Sequence, residues 1–129
     1  MKKLEMRIQR NKNLNDVLFS EHDDDLHNGV HHRYIIVHNG YDINSGACSE
    51  LSHDLFFQKG PRKEPTSKHG VLESDLLEIV RHRLQGHQKT EYATRENAVA
   101  LTHIEEALMW MSKRVDDRAE RSVLGTDKK

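Results

Sequence analysis

The sequence predicts an α+β fold, with an N-terminal antiparallel β-sheet of about three to five strands followed by a C-terminal antiparallel two-helix hairpin, in an oligomer. Three observations predict it. Tyr34-Ile35-Ile36-Val37 is a run of strand-favouring residues, and Asn39-Gly40 directly after it suits the left-handed backbone of a type I′ hairpin turn. Leu101, Ile104, Leu108, Met111 and Val115 recur at spacings of 3, 4, 3 and 4, the period of one helix face. Between them, Lys59 to Gly70 holds both prolines, Gly60 and Gly70 with Arg62, Lys63 and Lys68, and reads as a basic loop that separates the two halves. Residues 1–60 are therefore expected to be the sheet region, and residues 61–129 the basic loop plus the helical hairpin, one compact unit.

The elements follow in order. Leu4, Met6 and Ile8 alternate with Lys3, Glu5 and Arg7, the pattern of a first strand with a basic outer face. Asn13 to Asn28 turns acidic around one apolar cluster, Val17-Leu18-Phe19, and reads as a short helix or loop. His31 to Phe57 reads as a meander, with Asn44-Ser45-Gly46 as a second turn and Leu51 to Phe57 as the closing strand. Glu73 or Ser74 begins the first helix, whose apolar positions are Leu76, Leu77, Val80 and Leu84, with Gly86 near its end. Thr94 caps the second helix, and Ala98 and Ala107 permit close approach. A helical hairpin alone cannot cover its own seam, so this one is expected to pack on the sheet or on another copy of itself.

Composition narrows the function. Leu, Ile, Val and Phe total 30 of 129 residues, and mean hydropathy is −0.85, so the core is thin and a homo-oligomer is expected to supplement it. Lys plus Arg (20) nearly balances Asp plus Glu (21), which argues against binding of a nucleic-acid polymer or a membrane surface through a broad positive field. An anionic ligand must be held locally. The single Cys48 excludes an internal disulfide and a thiolate zinc cage, and no apolar run reaches the length of a membrane span or signal peptide, so a soluble cytoplasmic protein is expected.

Each motif has a plain reading beside a functional one. His22-Asp23-Asp24-Asp25-Leu26-His27 has metal-ligand chemistry, but an acidic loop specifies no converging geometry and reads as solvated. His32 and His38 share a strand face with Tyr34 and Ile36 while His31 points away, so these histidines are expected not to cluster and no metal site or cofactor is assigned. No arrangement of Ser/His/Asp, Cys/His or paired carboxylates suggests a hydrolase. Phe57-Gln58-Lys59-Gly60-Pro61-Arg62-Lys63 joins a glycine, which lets backbone N–H groups approach an anion, to three cations; on spacing alone a strand-ending turn is favoured. Arg114, Arg118 and Arg121 fall at i, i+4 and i+7 and continue the line of Trp110, a stripe that forks onto phosphate oxygens or pairs with Asp116, Asp117 and Glu120. Arg95 and Asn97 open the same helix, where unpaired N–H groups favour an anion, and Thr94 capping is the plainer reading. His87 at the hairpin mouth offers a ring for base stacking, or has no role at all.

Arg95-Glu96-Asn97-Ala98-Val99-Ala100-Leu101-Thr102-His103-Ile104-Glu105-Glu106-Ala107-Leu108-Met109-Trp110 resembles the signature helix of the phage anti-defence sponges, the anti-CBASS and Thoeris anti-defence proteins that share a helical hairpin. The resemblance continues through Phe57-Gln58-Lys59-Gly60-Pro61, Arg83-Leu84-x-x-His87-Gln88 and Arg114 to Thr126, and so covers roughly residues 34–126. It implies a non-enzymatic protein that binds a cyclic nucleotide second messenger of bacterial immunity without cleaving it, in the cytoplasm of the infected host. The β text before the hairpin favours the Thoeris branch, whose ligand is a cyclic ADP-ribose isomer with a ribose–ribose linkage; cyclic di- and trinucleotides of CBASS are held by some members. The resemblance also implies dimers that assemble into a hexamer, a trimer of dimers. Carried over by position, it assigns ligand binding to the Arg83-x-x-x-His87 turn, Asn97, Arg114 and Arg118, beside which Arg95 and Arg121 stand as further candidates. Phe57, Lys59, Gly60 and Pro61 are a second pocket by the same resemblance. His87 departs from the family's usual stacking phenylalanine. Two other classes compete: a helical-hairpin adaptor that docks a protein through Trp110, and a metal-dependent nucleotide hydrolase.

Overall fold

Extended residues with alternating faces build the first half of the chain. A computed structural model describes residues 1–7, 15–20, 29–38 and 52–129. Strands β1 (Lys2–Lys3), β2 (Asp16–Phe19), β3 (Arg33–Val37) and β4 (Ser52–Phe56) form one antiparallel sheet in the order β1-β2-β3-β4. Phe19 lies opposite Tyr34 and Tyr34 opposite Leu55, while Val17 lies opposite Ile36 and Ile36 opposite His53, so these six share one face. Aromatic rings continue along it, with Phe19 to Tyr34 at 6.4 Å and Tyr34 edge-on to Phe57 at 5.5 Å. The opposite face carries charge: Lys3 pairs with Asp16 at 3.0 Å, and Arg33 pairs with Asp54 at 3.2 Å while lying 5.4 Å from the Phe56 ring centre.

Three local readings of the sequence are corrected here. Val17-Leu18-Phe19 is not helix or loop but strand β2, because a ladder partner on each side satisfies the backbone groups that a short apolar run cannot satisfy alone. Among the described residues the first strand is Lys2–Lys3, with one further backbone bond from Leu4 N–H to Val17 O at 2.8 Å. His31 does not point away from the Tyr34 face: outside β3, it packs on Phe19 at 4.7 Å, while His38 meets His53 of the neighbouring strand with Nε2 to Nε2 at 2.9 Å. The alternation argument fails for His31 because it precedes the strand, whereas His38 meets a histidine that lies opposite Ile36, on the face expected. Asn39-Gly40, Asn44-Ser45-Gly46, His22 to His27 and Cys48 lie outside the described residues.

The chain divides into two compact units, Met1–Gly60 with Lys68–Gly70, and Pro61–Ser67 with Val71–Lys129. In the sheet unit, Gln58 ties the returning loop. Its Nε2 donates to Gly60 O at 3.1 Å, and its Oε1 accepts from Gly70 N–H at 3.2 Å. Gly70 is obligatory in this arrangement, because a Cβ there would stand 2.3 Å from Phe56 O and 2.6 Å from Phe57 C.

The second unit is the helical hairpin, α1 (Glu73–Gln88) and α2 (Arg95–Glu120). Asp75 Oδ2 accepts from Leu72 N–H at 2.8 Å to start α1, and Thr94 Oγ1 accepts from Asn97 N–H at 3.1 Å to start α2. Leu76, Leu77 and Leu84 of α1 and Leu101, Ile104 and Leu108 of α2 are half-buried. Arg81 Nε donates to Glu105 Oε2 at 3.1 Å across the pair, and that hydrogen bond raises the guanidinium above its ordinary pKa.

The seam is continuous in sequence but not in burial. At 1.5 Å per residue, the 16 residues of α1 span about 24 Å and the 26 of α2 about 39 Å, so the last turns of α2 outrun their partner. Met111 and Val115 accordingly stand 36% and 47% exposed. Among the described residues no apolar side chain is fully buried; the buried ones are Ser20, His32 and Arg118, all polar. Among the described residues the core is thin, as composition leads one to expect.

Candidate functional site

The candidate ligand residues divide between the two ends of α2. At the connector end, His87 occupies the last turn of α1 and is exposed, with Arg83 exposed one turn earlier on the same helix. Its carbonyl is taken by Thr90, which donates through N–H at 3.1 Å and through Oγ1 at 2.7 Å. Gln88 then clamps the start of α2 from two sides: its Nε2 donates to Thr94 O at 3.1 Å, and its Oε1 accepts from Thr94 N–H at 3.2 Å. Thr94, fixed in this way, caps α2, and Asn97 sits half-buried in the first turn beside the exposed Arg95. Arg95 and Asn97 thus stand in the first turn of α2, and His87 in the last turn of α1, joined through the Gln88–Thr94 clamp. The sequence reading quoted Gln88 only as part of a motif; a glutamine six residues before a capping threonine was the signal for its role.

At the far end the three arginines are not one solvated stripe. Arg114 is exposed. Arg118, one turn on, is only 7% exposed, and its guanidinium donates three hydrogen bonds to backbone carbonyls of the following segment. Nη1 reaches Lys128 O at 2.6 Å, while Nη2 reaches Val123 O at 3.0 Å and Thr126 O at 3.1 Å. Arg121 is exposed, paired through Nε with Asp117 Oδ2 at 3.1 Å, as the i, i+4 spacing suggests, and its Nη1 donates to Lys129 O at 2.7 Å.

A sharp helix stop makes this arrangement possible. Ser122 N–H donates to Ala119 O at 3.0 Å and Val123 N–H to Arg118 O at 3.0 Å, the paired bonds of a Schellman ending. Ser122 stands at φ 59°, a left-handed position that glycine usually takes. Beyond it, Thr126 closes a tight turn, with its N–H 3.1 Å and its Oγ1 2.5 Å from Val123 O. Nothing in the residue types from 122 to 129 signals this capture, because the acceptors are backbone carbonyls.

One unbroken helix keeps the two groups apart. Asn97 and Arg114 are 17 positions apart in α2, about 26 Å along its axis at 1.5 Å per residue. A single small ligand cannot touch both within one chain. The second set of residues is elsewhere: Phe57 packs on Tyr34, Lys59 bridges Lys68, and Gly60 adopts φ 87°, all in the sheet unit, whereas Pro61 opens the segment that belongs with the helices. Trp110 is 61% exposed, with Lys113 Nζ 5.3 Å from its ring centre. Among the described residues no three His, Cys, Asp or Glu side chains converge as a metal site, and no helix is long and apolar enough to cross a membrane.

Residues 53–116, which include both helices up to the Arg114 turn, match the Acb2/Tad1 hairpin domain. Over 73 residues the chain is 48% identical to Thoeris anti-defense 1 of Bacillus phage SBSphiJ7, a stretch that takes up 57% of this chain and 51% of that protein. The chain therefore spans about half the length of the curated relative it matches.

Proposed function

We propose, for a chain that belongs to the Acb2/Tad1 hairpin family through residues 53–116, a phage anti-defence role: it binds and sequesters a cyclic nucleotide signal of bacterial immunity and breaks no bond in it. The observation that carries this reading is the 48% identity over 73 residues to a Thoeris anti-defense protein. The preferred ligand is a cyclic ADP-ribose isomer with a ribose–ribose linkage, with cyclic di- and trinucleotides as further ligands.

The geometry supports a particular form of the site. His87 supplies a flat ring, Asn97 an amide at a helix N-terminus, and Arg114 and Arg118 guanidinium forks for phosphate oxygens. With about 26 Å between Asn97 and Arg114, the two groups meet on one ligand when the α2 helices of two copies run antiparallel. The start of one α2 then lies beside the end of the other. Such pairing also covers Met111 and Val115, which α1 leaves open. The dimer is thereby the binding unit, and a hexamer of three dimers is its proposed assembly. The sponge acts in the cytoplasm of the infected host.

An adaptor reading has one observation in its favour, the exposed Trp110. Incubation with the cyclic ADP-ribose isomer and with cyclic di- and trinucleotides, followed by desalting, heating and chromatography of what is released, separates the classes. A sponge returns the ligand intact, a hydrolase returns product, and an adaptor returns nothing.

A further inference from the structure

Arg118 is a buried cation with three hydrogen bonds and no carboxylate partner among the described residues; its acceptors are the neutral carbonyls of Val123, Thr126 and Lys128. Those three oxygens accept from the fork, as phosphate oxygens can, but they carry only dipoles. An anion offering the same number of oxygens adds net charge attraction in a partly desolvated place, so exchange of carbonyls for phosphate is favoured. Arg114 lies one turn away, about 6 Å along the helix, and is already exposed. A ligand phosphate on Arg114 is therefore next to the guanidinium that the carbonyls hold.

The segment that holds it is kept in its closed form by few ties, several of them within the segment itself. It is rooted at Ser122, whose φ of 59° is costly for a residue with a Cβ. It is closed by the side chain of Thr126, whose Oγ1 donates to Val123 O at 2.5 Å and accepts from Lys128 N–H at 3.3 Å. A further tie is Lys63 N–H to Gly125 O at 3.2 Å. Few backbone bonds therefore stand between the closed and the open segment.

We propose that residues 123–128 form a strap that occupies the Arg118 guanidinium with backbone carbonyls and is released when a phosphate of the bound nucleotide takes their place, which makes the strap an intramolecular competitor of the ligand. The inference rests on the sponge reading for the identity of the ligand. The strap then sets affinity, because every binding event includes the cost of opening it.

Hydrogen exchange on the full chain tests the opening directly. With the ribose–ribose-linked cyclic ADP-ribose at saturation, the amides of Val123, Thr126 and Lys128 exchange faster than without it; unchanged or slower exchange overturns the proposal. Calorimetry provides the second arm. Thr126→Val, which loses only the hydroxyl that closes the strap, binds about two- to ten-fold more tightly than the wild type, the factor corresponding to one net hydrogen bond, while Thr126→Ser binds as the wild type does. Weaker or equal binding by Thr126→Val overturns the proposal. If the wild type binds no cyclic nucleotide, the sponge reading fails, and sodium pyrophosphate becomes the probe for the strap: tighter binding by Thr126→Val sustains it, and equal or weaker binding overturns it.

Discussion

Asn97→Asp and Arg114→Glu, expressed separately and then together, test whether one ligand is held by two chains. Both positions are polar and tolerant: an acidic residue in the first turn of α2 suits the helix dipole, and Arg114 is exposed. Each substitution sets a carboxylate against the ligand phosphates, so each homogeneous variant loses at least about 100-fold in affinity, since opposed like charges cost several kcal/mol. The magnitude that matters comes from the helix. Seventeen residues at 1.5 Å put Asn97 about 26 Å from Arg114, so a site containing both must take them from different copies. On random mixing, a site is wild type when its Asn97 comes from an Arg114→Glu chain and its Arg114 from an Asn97→Asp chain, which is about one site in four, whatever the size of the ring. Titration calorimetry of the co-expressed protein should therefore recover wild-type affinity at about a quarter of the wild-type stoichiometry. A co-expressed mixture as inactive as its two parents would refute the shared site, because two residues of one chain cannot be complemented in trans.

Four further outcomes follow from the fold. Ser122→Gly relieves a left-handed residue at the end of α2 and should raise stability by about 0.5–1 kcal/mol, or Tm by about 1–4 °C, in a thermal melt; a lower Tm would contradict the strain argument. Gly70→Ala places a methyl 2.3 Å from Phe56 O and should cost about 1–3 kcal/mol in the same melt, since backbone must move to admit it. Leu108→Asp puts a carboxylate in the half-buried seam and should dissociate or unfold the protein, which light scattering and circular dichroism distinguish; an unchanged wild-type mass and melt would remove the seam from the assembly. His87→Phe should preserve or tighten cyclic-nucleotide binding in calorimetry if this exposed ring stacks on a base, and complete loss of binding would remove the stacking role.

Local signals were enough for the helices. The 3-4-3-4 spacing from Leu101 to Val115 and the Thr94 cap are properties of neighbouring residues, and the structure contains α2 and its cap accordingly. Tyr34 to Val37 was legible as strand for the same reason. The candidate residues His87, Asn97 and Arg114 were legible as residue types in a family pattern, but their separation was not, because 17 positions become a distance only once the helix is known to be unbroken. Tertiary structure alone decided the rest. Val17-Leu18-Phe19 became a strand because β1 and β3 supply hydrogen-bond partners on either side. His38 met His53 because register, not sequence proximity, sets which side chains face each other across a sheet. Met111 and Val115 stayed exposed because α1 is ten residues shorter than α2, a mismatch that a periodic pattern does not record. Arg118 was captured by the carbonyls of Val123, Thr126 and Lys128, groups every residue carries alike, so residue identity was silent about a contact that depends on where the backbone turns.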